Sequence, residues 1–374
     1  MGCLSHRWEP ERMTPETTPS RRDLPYPNKV RRQISAPCAA RILALAVVAL
    51  TVTHLVTPLP VAAAPQGCAP PPPTIVDLHM ARPYDDVAGT TANDALKARH
   101  AAEAAPLKAF LTAVTRSADD AMRARSRTPT LPAGYRAACG LSWIAAWARG
   151  GALLGRMATK QAEYERKWDM TGIALAYLKL RSFASKSERA AIEPWLLQLA
   201  NATRRFFDSP GHKRNNHWYW QGLGLGAVAL ATDTPAMWTE AHAIYRDALA
   251  DIADDGTLPH EIARGRRALH YHVFAATPLV VLAELAARRG EDWYAEAGGR
   301  LHRLVETTRA GLADPRSFSA RAGVPQEHRV SPGSGWMQLY DARFAERSRE
   351  APHGDALVSR PGHRWLGGDV RLLP

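Results

Sequence analysis

The 374-residue sequence predicts an all-α protein built from helical hairpins in series. Amphipathic segments with apolar residues at mixed spacings of three and four follow one another along most of the chain, a pattern typical of helices with a buried face. No alternation of apolar and polar residues is long enough to indicate a useful strand. Many helical pairs in series fit one toroid better than a four-helix bundle.

Residues 1–64 are predicted to be a leader that contains a secretory signal. Arginines at 31–32 and 41 flank the start of the apolar run 42–56, and three alanines at 62–64 follow it. These are the basic, apolar and small-residue parts of an export signal. A membrane anchor is the alternative, but a run of about 15 residues is shorter than the roughly 20 that span a bilayer. We therefore expect a periplasmic protein with no stable membrane insertion once the leader is removed.

Residues 65–80 are predicted to form a Pro-rich linker, and residues 81–374 the helical domain. The prolines at 70–73 favour an extended, solvated backbone. Cys68 and Cys139 are the cysteines that follow the leader. An oxidising compartment would allow them to pair, and the sequence alone leaves their geometry open.

Within the helical domain, three segments give the strongest helix predictions: 157–183, 238–252 and 278–289. Asp-Asp-Gly at 254–256 supplies a turn after the second segment, and Gly290 follows the third where a helix C-cap is expected. The stretches 325–335 and 349–363 are rich in Pro, Gly and Ser and are predicted to be long loops.

A formal charge of +12 and a pI near 9.8 predict attraction to polyanions. Nucleic acid, an anionic membrane and an acidic polysaccharide would all satisfy this charge. The basic residues are not concentrated in a tail, and the sequence has no zinc-finger, homeodomain or RNA-binding signature. We therefore expect no nucleic-acid partner.

Two segments concentrate residues that can carry chemistry. The first places two amides, an imidazole and three aromatic side chains together at 215–220, after a Pro-Gly turn at 210–211. Such a group suits a sugar or nucleobase pocket. It would equally arise from an asparagine helix cap followed by a core histidine and packed aromatic rings. Taken alone, the segment leaves both interpretations open.

The second segment begins near Pro259 and is predicted to be helical. Arg264, Arg267 and Tyr271 would then lie on one helical stripe, at i, i+3 and i+7. Two guanidinium groups and a phenol make a carboxylate-binding surface with a proton-transfer group beside it. A solvated basic face is the alternative, but the apolar residues at 268–275 indicate an enclosed helix, and enclosed arginines need partners. These residues favour a functional site.

Other reaction classes fit the sequence less well. His260, His270 and His272 are close in sequence but point to different helix faces, and there is no HExxH motif, so no metal site is expected. A G-x-S-x-G nucleophile motif does not occur. Glu261 is the one obvious carboxylate for a hydrolytic pair. Proton abstraction suits these residues better.

Together the two segments resemble the alginate lyases of polysaccharide lyase family five. The resemblance rests on Asn-Asn-His-x-Tyr-Trp at 215–220 and on Gly-x-Leu-Pro-x-Glu-x-x-Arg-x-x-Arg-Ala-Leu-x-Tyr-His at 256–272. Arg-Lys-Trp at 166–168 and Leu-Gly-Gly-Asp at 366–369 also resemble family positions, and the similarity extends from about Tyr84 to Asp369. It implies an incomplete (α/α) toroid or barrel of helical hairpins with a deep, tunnel-like cleft, an acidic polysaccharide substrate and no metal or organic cofactor.

The resemblance also implies catalytic roles for four residues: Asn216, His217, Arg264 and Tyr271. A uronate C5 proton is weakly acidic because the sugar carboxylate is already negative, so binding that carboxylate offsets the charge that develops. Asn216 and Arg264 would do this with His217 beside them. Tyr271 would take the C5 proton and protonate O4 when both lie on one side of the ring, and His217 would be the better base for the opposite epimer. Arg264 is expected to lower the pKa of Tyr271.

Substrate contacts follow from the same resemblance. Family members carry a mobile lid whose counterpart here is 81–85, where Arg82 and Tyr84 are the candidates and Pro83 replaces a lysine. The bulk of Trp218, where relatives have a small residue, indicates a preference other than plain polymannuronate, such as polyglucuronate or hyaluronan-like chains. The remaining expected contacts are Lys160, Gln161, Trp220, Arg267 and Arg364.

These observations lead to one leading hypothesis and two alternatives. The leading one is a monomeric, exported lyase that cleaves 1,4-linked polyuronate by β-elimination and leaves 4,5-unsaturated uronate ends. A glycosaminoglycan lyase would keep the chemistry and change the substrate. A non-catalytic protein that binds acidic polysaccharide would keep only the cleft.

Overall fold

A computed structural model describes residues 67–84, 93–125, 133–212, 214–327, 335–349 and 362–374. The predicted leader lies outside these residues, as do most of the two predicted loops at 325–335 and 349–363 and Asp85 of the predicted lid.

Within the described residues the protein is all-α, as predicted. The α-helices are α1 (Asp94–Arg125), α2 (Ala133–Arg149), α3 (Lys160–Leu180), α4 (Lys186–Phe207), α5 (Asn216–Thr232), α6 (Pro235–Asp251), α7 (Pro259–Ile262), α8 (Ala268–Arg288), α9 (Glu296–Ala313), α10 (Arg316–Ala322), α11 (Trp336–Arg343) and α12 (Ala345–Arg349). Four 3₁₀ turns occupy Arg181–Phe183, Gly265–Arg267, Arg364–Leu366 and Val370–Leu372. Two short antiparallel strands, β1 (Gly362–His363) and β2 (Gly368–Asp369), pair near the C-terminus.

The helices form an inner and an outer layer, the arrangement of an incomplete (α/α) toroid. Helices α1, α3, α5 and α8 pack side by side, and α2, α4, α6 and α9 pack against them from outside. Helices α3, α5 and α8 are buried over almost their whole circumference, as expected for inner helices. The turn Arg364–Leu366 packs on α3 and β2 packs on α1, so the C-terminal segment also contacts the inner layer.

Three glycines allow α5 to approach its neighbours closely. A Cβ atom at Gly222 would lie 2.8 Å from Ile244 of α6, and one at Gly226 would lie 2.6 Å from Leu282 of α8. At Gly224 it would lie 2.8 Å from Met170 and Thr171 of α3. Because real Cβ atoms do not approach other atoms this closely, α5 packs against three helices only because these positions lack side chains.

The helix predicted from Pro259 to Tyr271 is wrong as a continuous helix. The chain forms the single turn α7, then a 3₁₀ turn that begins at Gly265, and only then α8. Gly265 has φ of +59°, a left-handed conformation that interrupts a right-handed helix. Arg264, Arg267 and Tyr271 therefore do not lie along one face of a single helix.

Helix α8 begins earlier than predicted, and Pro278 lies inside it. A proline has no N–H to donate to the carbonyl four residues before it, which leaves the Phe274 carbonyl without its helical partner. The Trp220 indole N–H of α5 donates to that carbonyl at 3.1 Å. A side chain from a neighbouring helix thus replaces the missing backbone bond. The segment Gly265–Arg288 is long and apolar enough to cross a membrane, but 89% of its apolar window is buried inside the protein, as in a core helix.

The N-terminal segment is extended, as predicted, but it lies against the helices instead of in solvent. Cys68 and Cys139 form a disulfide bond that joins this segment to α2. The indole N–H groups of Trp143 and Trp147 on α2 donate to carbonyls of the segment at 2.7 and 3.0 Å. Farther along, Leu78 forms a parallel bridge with Met157. These contacts hold the segment that precedes Tyr84 against the helices.

Candidate active site

The start of α5 presents the first group of predicted site residues. Asn215 is the helix N-cap, with an extended backbone and a side chain that accepts a hydrogen bond from the His217 N–H at 3.1 Å. The cap interpretation of this asparagine is therefore correct. This cap places Asn216 and His217 in the first turn of α5, an inner helix that follows α4 in the chain.

Asn216 is held by Glu261 of α7. Both residues are fully buried, and the backbone N–H and side-chain amide of Asn216 donate to Glu261 Oε1 at 3.0 and 2.8 Å. Burial raises the pKa of Glu261, although the Asn216 bonds and the Arg264 charge act in the opposite direction. In the described part of the chain, Asn216 Oδ1 and Glu261 Oε2 have no hydrogen-bond partner. Glu261 therefore fixes how the Asn216 amide is presented.

His217 is enclosed by residues of α3. Its ring stacks on Tyr164, with 3.8 Å between ring centroids, and lies 5.6 Å from the ring of Trp168. Lys167 Nζ lies 3.2 Å from His217 Nδ1. Burial, followed by the charges of Lys167 and Arg264, lowers the pKa of His217 well below its usual value. The imidazole is therefore neutral.

The second segment brings two guanidinium groups to Tyr271. The Arg264 guanidinium carbon lies 3.8 Å from the Tyr271 ring centroid, and that of Arg267 lies 5.3 Å from it. Arg267 also lies 4.6 Å from the ring of Tyr84 and forms an ion pair with Glu327 at 3.4 Å. The side chains thus converge even though no continuous helix aligns them.

The expected low pKa of Tyr271 is wrong. The pKa is raised to about 12, because burial of the phenol outweighs the opposing effect of the Arg264 charge. The sequence correctly indicates that Arg264 lies beside the phenol. It does not reveal how deeply the phenol is buried, and burial decides the sign of the shift.

The structure brings the four predicted catalytic residues together. Asn216 is bonded to Glu261, and the Arg264 charge acts on Glu261, His217 and Tyr271. These residues come from α5, from the broken segment after α7 and from α8, so only the folded toroid assembles them.

Trp220 does not belong to this group, contrary to the sequence prediction of a sugar contact. Its side chain is only 2% exposed, and its N–H is bonded to the Phe274 carbonyl of α8. The Trp218 indole N–H donates to Asp247 of the outer helix α6 at 3.2 Å. The influence of Trp218 on substrate preference stays a prediction.

The other predicted contacts occupy several positions near α3. Arg82 is exposed, and its charge acts on Tyr164, the residue that stacks on His217. Lys160 is exposed at the first residue of α3, and the Gln161 side chain bonds to Glu165.

Arg364 lies on the C-terminal turn that packs against α3. Its guanidinium carbon is 4.4 Å from the ring of Trp365, which stacks on Trp168 at 4.5 Å. Its charge acts on the buried carboxyl groups Glu165 and Asp169, whose pKa values burial raises. Arg364 is thus connected through stacked indoles to the surroundings of His217.

His272, which follows Tyr271, forms its hydrogen bonds with backbone groups. His272 Nε2 accepts the Leu258 N–H at 2.8 Å, and His272 Nδ1 lies 2.8 Å from the Ala268 carbonyl. Burial lowers the pKa of His272 to about 4. Across the described ranges, no three His, Cys, Asp or Glu side chains are placed to hold a metal ion.

A family model for alginate lyases matches residues 77–318, which is more than half of the chain. The chain belongs to the alginate lyase family. It is 40% identical over 328 residues to a polysaccharide lyase of Stenotrophomonas maltophilia (strain K279a), covering 87% of this chain and 96% of that protein. It is 36% identical over 216 residues to an alginate lyase of Pseudomonas putida (strain F1), covering 55% of this chain and 59% of the relative.

Solved structures of alginate lyases have the same fold as this family member. A variant of alginate lyase A1-III complexed with tetrasaccharide superposes with a TM-score of 0.69 at 24% identity, covering 82% of this chain and 84% of that one. Alginate lyase A1-III from Sphingomonas species A1 gives a TM-score of 0.66 with 82% and 85% coverage. The family resemblance inferred from 215–220 and 256–272 is confirmed, and the chain is a polysaccharide lyase.

The sequence prediction assigns no role in the lyase reaction to three residues of the site: Tyr164, Lys167 and Glu261. Glu261 stands inside the second motif, so its position was visible, but its bond to Asn216 was not. Lys167 contacts a histidine 50 residues away in the chain. No local pattern signals such a contact.

Proposed function

We propose that this lyase cleaves 1,4-linked polyuronate by β-elimination, with Tyr271 as the proton-transfer group and Arg264 beside it. The observation that carries the proposal is the 3.8 Å contact between the Arg264 guanidinium and the Tyr271 ring, next to the neutral imidazole of His217. Alginate-like chains are the substrate class that the family membership supports.

The first requirement of the reaction is to neutralise the uronate carboxylate. When C5 loses its proton, negative charge spreads onto that carboxylate, and fixed donors stabilise it more strongly than they stabilise the ground state. Arg264 supplies a permanent positive charge. Asn216 and neutral His217 supply hydrogen bonds, and Glu261 keeps the amide of Asn216 in place.

The second requirement is a group that accepts the C5 proton and delivers a proton to O4. In mannuronate and glucuronate these two atoms lie on one face of the ring, so a single side chain can reach both. With a pKa near 12, Tyr271 is a phenol in most molecules near neutral pH and reacts as the minor phenolate form. The phenol that forms when it takes the proton then protonates the leaving oxygen.

We also propose export to the periplasm and a monomeric state. The Cys68–Cys139 disulfide supports export, because such bonds persist in oxidising compartments. Cell fractionation of the full chain would test the location, and light scattering would test the oligomeric state.

The decisive experiment measures the ultraviolet absorbance of unsaturated uronate ends. Polymannuronate, polyguluronate, polyglucuronate and hyaluronan would be compared at equal uronate concentration. Growth of absorbance on polymannuronate or polyglucuronate supports the proposal. Growth on hyaluronan alone would establish the glycosaminoglycan alternative, and binding without absorbance would show a non-catalytic protein.

A further inference from the structure

Lys167 is a buried lysine at the site to which the mechanism above gives no role. It lies on the inner helix α3 with no exposed surface, and in the described part of the chain no carboxylate lies within ion-pair distance of its Nζ. Three aromatic rings surround the Nζ: Trp168 at 4.6 Å, Phe207 at 5.1 Å and Tyr164 at 5.4 Å from their centroids. Such rings attract a cation and hold it in place.

The polar contacts of Lys167 both go to one residue. Nζ lies 3.2 Å from His217 Nδ1 and 3.4 Å from the His217 carbonyl oxygen. A second buried lysine on the same helix shows the usual arrangement. Lys179 Nζ donates to the Asp119 carboxylate at 2.7 Å and to two carbonyls at 2.8 Å. The Lys167 amine thus contacts an imidazole nitrogen, whereas the Lys179 amine contacts a carboxylate.

We propose that Lys167 is a positioning residue that donates a hydrogen bond to His217 Nδ1 and so holds the imidazole as the neutral Nε2–H tautomer. Burial lowers the pKa of Lys167 well below its usual value, so both the ammonium and the neutral amine have to be considered. An ammonium has three donors and no acceptor, so the nitrogen that it contacts is the unprotonated one. A neutral amine that directs its two protons at the His217 carbonyl and at Nδ1 donates to the same two atoms, so Nδ1 is the acceptor in both forms. The carbonyl of His217 is also an acceptor, which keeps the amine protons directed at this residue. The low pKa of His217, to which burial contributes most and Lys167 next, is consistent with a neutral ring.

This assignment rests on the proposed function and determines what His217 can do in it. An imidazole protonated at Nε2 donates a hydrogen bond to the substrate carboxylate from that nitrogen. The same nitrogen has no lone pair with which to take a C5 proton, and the lone pair at Nδ1 is occupied by Lys167. His217 is therefore a donor and not a base. The site then disfavours guluronate, whose C5 proton lies on the face opposite Tyr271.

The tautomer can be observed without measuring activity. In protein labelled with ¹⁵N-histidine, protonated and unprotonated ring nitrogens give well-separated signals, and the His217 signals are those missing from a His217→Gln variant. We expect the wild-type enzyme to show a protonated Nε2 and an unprotonated Nδ1. A protonated Nδ1 in the wild-type enzyme would overturn the inference, and this test requires no variant of Lys167 to fold.

Lys167→Met supplies the functional test, because methionine keeps the length and apolar packing and removes the donor. We expect His217 to become a mixture of tautomers and kcat on polymannuronate to fall by about a hundredfold, the lower end of the loss found when one transition-state donor is removed. KM should change much less, and the ratio of guluronate to mannuronate turnover should rise. Lys179→Met is the matched control: it removes the other buried lysine of α3 and should leave the His217 signals unchanged.

The outcomes separate this inference from the function on which it rests. An unchanged tautomer and kcat in Lys167→Met would reject the role of Lys167 while the lyase activity stands. Absence of unsaturated product on every polyuronate, with the Nε2–H tautomer present, would reject the proposed function. A loss of kcat in Lys167→Met with the tautomer unchanged would show that Lys167 acts by a route other than the His217 tautomer, which also refutes the inference.

Discussion

The bond between Trp220 and the Phe274 carbonyl predicts a specific energetic coupling between α5 and α8. In Trp220→Phe, the Phe274 carbonyl, which Pro278 leaves without its helical partner, would lose the indole donor. A buried carbonyl without a partner costs about 1–3 kcal/mol. The lost part of the indole ring, in a site 2% exposed, leaves a cavity that costs about 1 kcal/mol more. We expect the free energy of unfolding to fall by about 2–4 kcal/mol.

A second substitution isolates the hydrogen bond from the packing. Pro278→Ala restores an N–H that can donate to the Phe274 carbonyl along the helix. It should therefore help the Trp220→Phe variant more than it helps the wild-type protein, with a coupling free energy of about 1–2 kcal/mol. Urea unfolding of the four proteins, with the disulfide intact, measures this coupling. Strict additivity of the two single changes would refute the reasoning, because the shared carbonyl would then not connect them.

Three further predictions concern the reaction and the disulfide. Tyr271→Phe should abolish formation of unsaturated product while polymannuronate binding, followed by calorimetry, persists; near-normal turnover would refute the acid/base role. Because the phenolate of Tyr271 is the reactive base and its pKa is raised to about 12, kcat/KM should rise with pH from neutral towards that value, and a flat profile on the alkaline side would contradict this. Reducing Cys68–Cys139, which closes a sequence separation of 71, should lower the free energy of unfolding by about 2–5 kcal/mol in urea titrations of matched samples, whereas equal midpoints would show that the bond contributes nothing.

The sequence predicts the helices well where local apolar periodicity agrees with the packing of the folded protein. The segment 157–183 becomes α3 and a 3₁₀ turn, and 238–252 becomes most of α6. It fails at Gly265, because one residue in a left-handed conformation ends a helix that the surrounding periodicity would continue. It also places the start of the last predicted helix at Pro278. Contacts across the toroid make a proline acceptable there, and these are invisible in a local window.

At the site, too, the local motifs predict which residues are neighbours but not how deeply they are buried. The motifs identify Arg264 and Tyr271 and place them beside each other, which the structure confirms. The pKa of the phenol depends on burial, and burial depends on segments far away in the chain. For the same reason the motif at 215–220 predicts a sugar contact at Trp220, although the indole N–H of this residue donates to a carbonyl of α8.

The glycines of α5 have a consequence for how enzymes of this shape can diversify. Gly222, Gly224 and Gly226 face three different helices, so a larger side chain at any of them would displace a separate neighbour. The middle of α5, which follows the turn that carries His217, is therefore packed closely against three helices. Laboratory selection for a new polymer should accordingly accumulate changes in the N-terminal segment before Tyr84 and in the strands β1 and β2, and leave the middle of α5 unchanged.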